Sequence, residues 1–277
     1  MSLENGEGNM SDSNEANTYT INGITLSIPD FIMSPKLHDD LASGTYESRE
    51  IFPIRANIRP HDVVLELGAA IGFISTVVAK LFDNVHVVSY EANPEMLPIA
   101  RNNHKINGVD VELREGLVTG MAVPDEVEFW VDKTFFWDSG IVPRAHNNGS
   151  IREKVFIKSI PFHKIISEIR PTVLIIDIEG SEVGLFDSVV NLDCVRNIFF
   201  ELHAFIGPYE IYKLIKRLDE LGFCYDRTYS IEYIVTFKRR DQSGDSPAVM
   251  HLGAQKSKPW TRFLKAIWKR STESLCC

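Results

Sequence analysis

Residues 63–91 read Val63-Val-Leu-Glu-Leu-Gly68-Ala-Ala-Ile-Gly72-Phe-Ile-Ser-Thr-Val-Val-Ala-Lys-Leu-Phe82-Asp-Asn-Val-His-Val-Val-Ser-Tyr90-Glu91. The first five residues are apolar except for Glu66 and stop at a glycine, the signature of a short strand covered on both faces. Residues 73–82 form an apolar helical stretch, and residues 85–90 are a second buried run. Strand, glycine turn, helix and strand make one βαβ unit, which predicts a parallel sheet. Gly68 and Gly72 permit a tight turn and let a ligand approach the backbone. Glu91 ends the second strand, where a carboxylate can accept hydrogen bonds from ribose hydroxyls. Two glycines alone serve helix–strand packing equally well. The acid one strand later is what points to a nucleoside cofactor.

The pattern continues in both directions. Downstream, the sequence predicts a helix over 95–107, stopped by Gly108, and a strand over 109–114. Residues 119–160 are less regular, with strands near 127–131 and 154–160. Helices at 161–169, 181–190 and 208–221 then alternate with strands at 173–178 and 198–202, and strands near 225–229 and 233–237 finish the body. Upstream, Asn22-Gly23 centres a hairpin over 19–28, and a short helix falls near 46–58. The predicted fold is α/β, a doubly wound, mostly parallel sheet with helices on both faces. Such sheets bind ligands just past the carboxyl ends of their strands.

Composition narrows the class. The 277 residues are 44% hydrophobic and 24% charged, as in soluble globular proteins, which excludes collagen-like, disulfide-scaffold and wholly disordered chains. Net charge is −9, which argues against a nucleic-acid binder. The charge is uneven: Lys238 to Cys277 carry nine Lys and Arg against three acids, leaving −15 for the rest. Three parts follow: an acidic leader over 1–17, a catalytic domain over 18–240 and a basic tail over 241–277. The leader lacks the apolar core of a secretory signal. No apolar run reaches the roughly 18–20 residues of a membrane span. Cys194, Cys224, Cys276 and Cys277 lack metal-type spacing and suit a reducing compartment, so a cytoplasmic protein is expected.

The turn also bears on which nucleoside is bound. Ala70 stands where a dinucleotide fingerprint needs its second glycine, and no Walker lysine is present. Tyr209 and Lys213 match the catalytic pair of short-chain oxidoreductases, but i,i+4 spacing is ordinary on any amphipathic helix. What remains is an acid before the first glycine and a second acid one strand later, the arrangement of S-adenosylmethionine (SAM) sites. Glu66 is expected to organise the methionine end, with Gly68, Ala70 and Gly72 cradling it. Glu91 and Asn93 flank the ribose, and the Glu115-Gly116 turn lies by the adenine.

Tyr46-Glu47, Glu66-Leu-Gly-Ala-Ala-Ile-Gly72, Tyr90-Glu-Ala-Asn-Pro94 and Asp177-Ile-Glu-Gly-Ser-Glu182, with Phe199-Phe-Glu-Leu-His203, together resemble the FkbM family of SAM-dependent methyltransferases. The resemblance covers about residues 40–230. It implies a class I methyltransferase fold with a seven-stranded sheet, and O-methylation of a hydroxyl on a saccharide, glycolipid or natural product. Where that family commonly has an aliphatic residue and lysine before Asp-x-Glu-Gly, this chain has Ile175-Ile176. A non-catalytic SAM-fold binder and an NAD(P)-dependent oxidoreductase are the competing readings.

Asp177, Glu179, Glu182, Glu201 and His203 fall at the ends of two adjoining strands. Packed carboxylates repel, so a partner is expected: acceptor hydroxyls, a cation or a shared proton. A positioned base helps a hydroxyl attack. Asp177 and His203 are the candidates, with Glu179 orienting the acceptor and Glu182 and Glu201 binding it. No metal ligand set is assigned. Trp137 and Ser139, in an aromatic stretch with Gly140, suit an acceptor-stacking lid or a buried hairpin.

In the tail, Trp260, Phe263, Leu264, Ile267 and Trp268 fall on one helical face, with Arg262, Lys265, Lys269 and Arg270 around it. Residues 258–277 thus suit peripheral contact with an anionic membrane, and equally docking on an acidic domain or partner. Co-sedimentation with anionic vesicles separates the two. Membrane contact requires full-length protein to pellet more than residues 1–240; equal recovery removes it.

Overall fold

The computed structural model describes residues 16–120, 124–141, 151–189, 191–203 and 205–240. Most of the acidic leader, the basic amphipathic segment and the two terminal cysteines lie outside the described residues. The chain enters through the hairpin β1 (Ala16–Ile21) and β2 (Ile24–Pro29), which turns at Asn22-Gly23 with φ of 52° and 81°. Two positive φ values make the turn whose twist suits a two-residue hairpin. Helix α1 (Pro35–Ser43) starts at Ser34, whose hydroxyl accepts from the Leu37 N–H, and stops at Gly44 in the left-handed region. Helix α2 (Ser48–Asn57) follows.

The βαβ unit then appears as read. Strand β3 (Val63–Leu67), helix α3 (Phe73–Leu81), β4 (His86–Glu91), α4 (Met96–Asn107) and β5 (Glu112–Glu115) form one half of the sheet. An insertion of β6 (Leu117–Thr119), β7 (Glu126–Asp132) and β8 (Arg152–Pro161) makes a separate three-stranded sheet. Helix α5 (Phe162–Ile169), β9 (Val173–Ile176), β10 (Asn197–Glu201), α6 (Pro208–Glu220), β11 (Phe223–Tyr225) and β12 (Ile234–Arg239) complete the second half.

The seven strands lie in the order β11-β12-β10-β9-β3-β4-β5. Only β12 runs antiparallel to its neighbours. Alternation along the strands separates two cores. On β9, Leu174 and Ile176 join the core under α5 and α6, while Val173 and Ile175 join the one under α1 to α4 and the hairpin. The chain leaves β3 in one direction and returns at β9 on its other side. The carboxyl ends of β3 and β9 therefore flank the switch point where open α/β sheets bind ligands.

Three expectations need correction. The helix expected over 181–190 does not form in its described part, 181–189; residues 179–188 run as successive turns. Glu179, Gly180 and Gly184 have φ of 53°, 98° and 79°, and the amides of Ser181, Leu185, Asp187 and Val189 bond three residues back. Left-handed residues interrupt the α-helical ladder despite the apolar spacing. The third strand begins at Glu112 rather than Val109, and residues 227–229 are a 3₁₀ turn rather than strand.

The halves meet at a glycine. A Cβ on Gly68 would stand 1.7 Å from the Asp177 carbonyl oxygen, and φ there is +89°. Gly68→Ala is therefore expected to lower stability by about 3 kcal/mol or more. Gly23→Ala, with φ +81° but nothing within 4 Å, should cost about 1–2 kcal/mol. Urea unfolding of the two variants checks the contrast; equal losses would mean the contact does not constrain the fold.

Candidate active site

At the ends of β3 and β4 the backbone makes a cradle. Gly68, Ala70 and Gly72 have φ of 89°, 46° and 77°, a strained value for Ala70 because it carries a Cβ. The Ala70 N–H donates to Glu91 Oε2 at 2.7 Å, and the Asn93 N–H donates to Glu91 Oε1 at 2.6 Å. Glu91 thus ties the first turn to the second. Burial raises its pKa, opposed by these backbone donors. Its carboxylate also lines the pocket, where each oxygen keeps acceptor capacity. Asn93 Nδ2 donates to Ser139 Oγ at 3.2 Å, and the same oxygen accepts from the Asp132 N–H at 3.0 Å. These bonds pin the aromatic segment to the cradle.

Glu66 lies beneath, 2% exposed. Burial pushes its pKa up to about 7, and Oε2 has no hydrogen-bond partner among the described residues. It borders a cavity of about 30 Å³ with Glu47, Glu50, Asp177 and Glu201, roughly the room one water occupies.

On the other side, His203 sits among three acids. Its Nε2 is 3.0 Å from Glu179 Oε2 and 3.5 Å from Asp177 Oδ1, and its Nδ1 is 3.4 Å from Glu182 Oε1. Burial opposes charge on the ring, but these carboxylates outweigh it and raise the pKa to about 11. At neutral pH the ring is an imidazolium with no lone pair to accept a proton. Asp177 is pushed toward its neutral form: burial, then the charges of Glu201 and Glu179, hold its pKa well above the ordinary carboxylate range. Burial first also lifts Glu201, to about 7. A carboxylate with a raised pKa is the better proton acceptor once ionised.

The turn before α2 closes the pocket. Glu47, with φ of 47°, and Glu50 face the same space, and burial raises both. Arg49 Nη1 donates to the Tyr233 hydroxyl at 2.7 Å, and its Nε is 3.5 Å from Glu232. The whole pocket has a volume of about 760 Å³, within the roughly 300–1,000 Å³ typical of small-molecule sites. Among the described residues, seven acids line it against Lys36, Arg49 and His203. Hydroxyl donors and cations suit such a wall, and phosphates do not.

Residues 66–225, more than half of the chain, match the family described as the methyltransferase FkbM domain. The chain belongs to the FkbM methyltransferase family. No curated protein matches it. Its backbone is similar to solved structures at low identity. A transferase of Pyrococcus horikoshii is 13% identical, with 82% of this chain and 72% of that one covered and a TM-score of 0.44. A SAM-dependent methyltransferase of Streptococcus mutans is 12% identical, with 85% and 57% covered and a TM-score of 0.45. The tRNA (uracil-54, C5)-methyltransferase of Pyrococcus abyssi, solved with S-adenosyl-L-homocysteine, is 13% identical, with 81% and 43% covered and a TM-score of 0.43.

In this FkbM methyltransferase most of the residues singled out in the sequence converge. Gly68, Ala70, Glu91, Asn93, Gly116, Trp137 and Ser139 border the pocket with Asp177, Glu179, Glu201 and His203. Others do not reach it. Glu115 is exposed outside the pocket, and Gly72 stands behind it as the first cap of α3. Glu182 is wholly buried beneath the wall, its Oε1 accepting from the Ile178 N–H at 3.2 Å, so it does not touch an acceptor. Tyr209 is 67% exposed on α6 with Lys213 Nζ 5.1 Å from its ring centroid, and Lys213 pairs with Glu210 at 2.5 Å. That pair is surface decoration, which removes the oxidoreductase reading. The sequence carried no signal for Glu50, Arg49 and Tyr233; only the packing of α2 on β10 and β12 brings them in.

Glu66 has a consequence for stability. An acid with a raised folded pKa stabilises the native state below its unfolded pKa and loses that advantage as pH rises through the folded value. The window here is pH 4.5 to about 7, and the effect is at most about 3 kcal/mol. Glu66→Gln should therefore melt above wild type at pH 8, and the gap should shrink at pH 5. Thermal melts at both values check this; a gap independent of pH would show that Glu66 is not held protonated.

Proposed function

We propose that this methyltransferase moves the methyl group of S-adenosylmethionine to a hydroxyl of a polyhydroxylated acceptor: a saccharide, a glycolipid headgroup or a natural product of that type. The observation that carries this reading is the carboxylate wall of Asp177, Glu179 and Glu201 facing the cradle across one pocket. The cofactor supplies an electrophilic methyl group on a sulfonium. The residues present fit it: Gly68 leaves no side chain over the turn, Glu91 retains acceptor capacity toward a ribose, and Glu66 keeps a buried oxygen without a donor. Gly116, Leu117, Val118 and Phe129 offer an apolar slot suited to adenine.

Asp177 is the base. Its Oδ1 faces the His203 ring and is buried, while the side chain as a whole is 41% exposed, so the other oxygen meets the acceptor. That oxygen takes the hydroxyl proton as the new C–O bond forms. Glu179 and Glu201 accept hydrogen bonds from neighbouring hydroxyls and fix the attacking one in place, the orientation that lowers such barriers most. His203, protonated, keeps the acids from repelling one another.

One catalytic domain spans about 18–240, with the leader and tail apart from the chemistry. No helix among the described residues is long and apolar enough to cross a membrane. A cytoplasmic enzyme, with residues 258–277 as a peripheral membrane or protein contact, fits the charge distribution. The acidic pocket suits a neutral small molecule or glycan better than nucleic acid.

Calorimetry should show saturable binding of SAM and its demethylated product and none of NAD(P). Asp177→Asn should lower turnover at least 10²-fold while SAM affinity stays at wild type, measured with labelled SAM on the acceptor found by screening extract fractions. Wild-type turnover in that variant would remove Asp177 from the base role.

A further inference from the structure

We infer that Asp177, Glu182 and His203 form a binding site for one divalent cation at the floor of the acceptor pocket. The inference rests on the reading that Asp177 faces the acceptor hydroxyl. Three separate pieces of chain meet there. Asp177 follows β9, His203 follows the neighbouring parallel strand β10, and the left-handed pair Glu179-Gly180 turns the backbone so that Glu182 comes back beneath both. One donor atom from each residue lies within 4.8 Å of the other two.

The second observation is what these atoms lack. Asp177 Oδ1 and His203 Nδ1 are buried and stand only at ion-pair distance, 3.5 Å from His203 Nε2 and 3.4 Å from Glu182 Oε1 respectively, without forming hydrogen bonds. Glu182 Oε2 is buried with no hydrogen-bond partner among the described residues. The Glu182 side chain is 0% exposed and that of His203 10%. A buried polar atom left without a partner costs about 1–3 kcal/mol, and more when charged. Three side chains from separate segments gathered this closely, with such atoms among them, describe a ligand set rather than an accident of packing. Charge argues the same way: among the described residues, Asp177, Glu182 and Glu201 gather around the His203 imidazole, and Arg49 on α2 is taken up by Tyr233 and Glu232. A divalent ion replaces the ring proton as the positive charge these acids enclose.

One imidazole with two carboxylates suits Mn²⁺, Fe²⁺ or Zn²⁺ rather than an all-oxygen Ca²⁺ cage. Metal–ligand bonds are about 2.0–2.2 Å, so small inward movements of the three side chains complete the site. Three protein donors leave positions open on the pocket side, where Asp177 and His203 are part of the wall. An acceptor hydroxyl bound there is made more acidic by the ion. Its proton goes to the outer oxygen of Asp177, its oxygen forms the bond to the methyl carbon, and the electrons of the broken C–S bond stay on sulfur.

The test is titration of EDTA-treated full-length protein with MnCl₂, followed by loss of the free Mn²⁺ resonance signal. Mn²⁺ is chosen because it has little affinity for the thiols of Cys276 and Cys277. One Mn²⁺ per chain is expected, with affinity falling at least tenfold in Glu182→Gln and in His203→Gln and unchanged in the surface control Glu168→Gln. If the buried Glu182→Gln variant fails to fold, His203→Gln carries the test. Absence of saturable binding, or equal affinity in wild type and His203→Gln, overturns the site. Calorimetry with SAM on the same samples separates the failures. SAM binding without the ion leaves methyl transfer standing and removes the cation, whereas a protein that binds Mn²⁺ but not SAM keeps the cation site and loses the transfer reading.

Discussion

The active site depends on the absence of a side chain at one point. Gly68 ends the first strand of the cofactor unit, and its α-carbon lies against the carbonyl of Asp177, where any Cβ would overlap the oxygen. The Asp177 N–H donates to the Leu67 carbonyl at 2.9 Å, continuing the ladder between β3 and β9 past their formal ends. This contact closes the switch point of the sheet. It also sets the distance between the glycine turn and the Asp177 carboxylate, the two groups to which the proposed transfer assigns the methyl donor and the proton. Both tasks share one backbone junction, so neither half can shift without carrying the other.

Around that junction the fold accepts backbone strain. Glu47, Ala70 and Glu179 all sit in the left-handed region, and all three border the pocket. Each costs about 1–2 kcal/mol relative to ordinary backbone. At Ala70 the conformation aims an amide at Glu91; at Glu179 it brings the following turn, and Glu182 with it, under the pocket wall. Asn22, His61, Asn84, Arg170 and Glu232 are left-handed too, in turns away from the pocket lining; the three at the pocket differ in that each sets the position of an acid there.

The carboxylates solve a related problem. So many acids in one pocket could not all ionise without help, and their pKa values show how the load is distributed. Glu47, Glu50, Glu66, Asp177 and Glu201 are all shifted upward, while His203 is held positive among them. The site is therefore less negative than its composition, and each acid so raised is, once ionised, a stronger proton acceptor than an ordinary carboxylate.

Much of this was legible in the chain itself. Alternating apolar runs and glycine turns specify a parallel α/β sheet because strands covered on both faces have no polar side to display. The acids after β3, β4, β9 and β10 were visible as breaks in those runs, since an ionisable residue at a strand's carboxyl end has no packing reason to be there. What the sequence left open came from contacts between distant segments. Glu182 has the same local signature as Asp177 and Glu179, yet the left-handed turn buries it. Glu50 and Tyr233 look like ordinary surface residues, yet helix α2 and strand β12 place them at the pocket. Residues 181–189 have helical spacing but form no helix, because Glu179, Gly180 and Gly184 take left-handed backbone conformations that break the ladder. Strand ends announce themselves through local polarity. The depth of a side chain, its proton and its neighbours exist only once the sheet has closed.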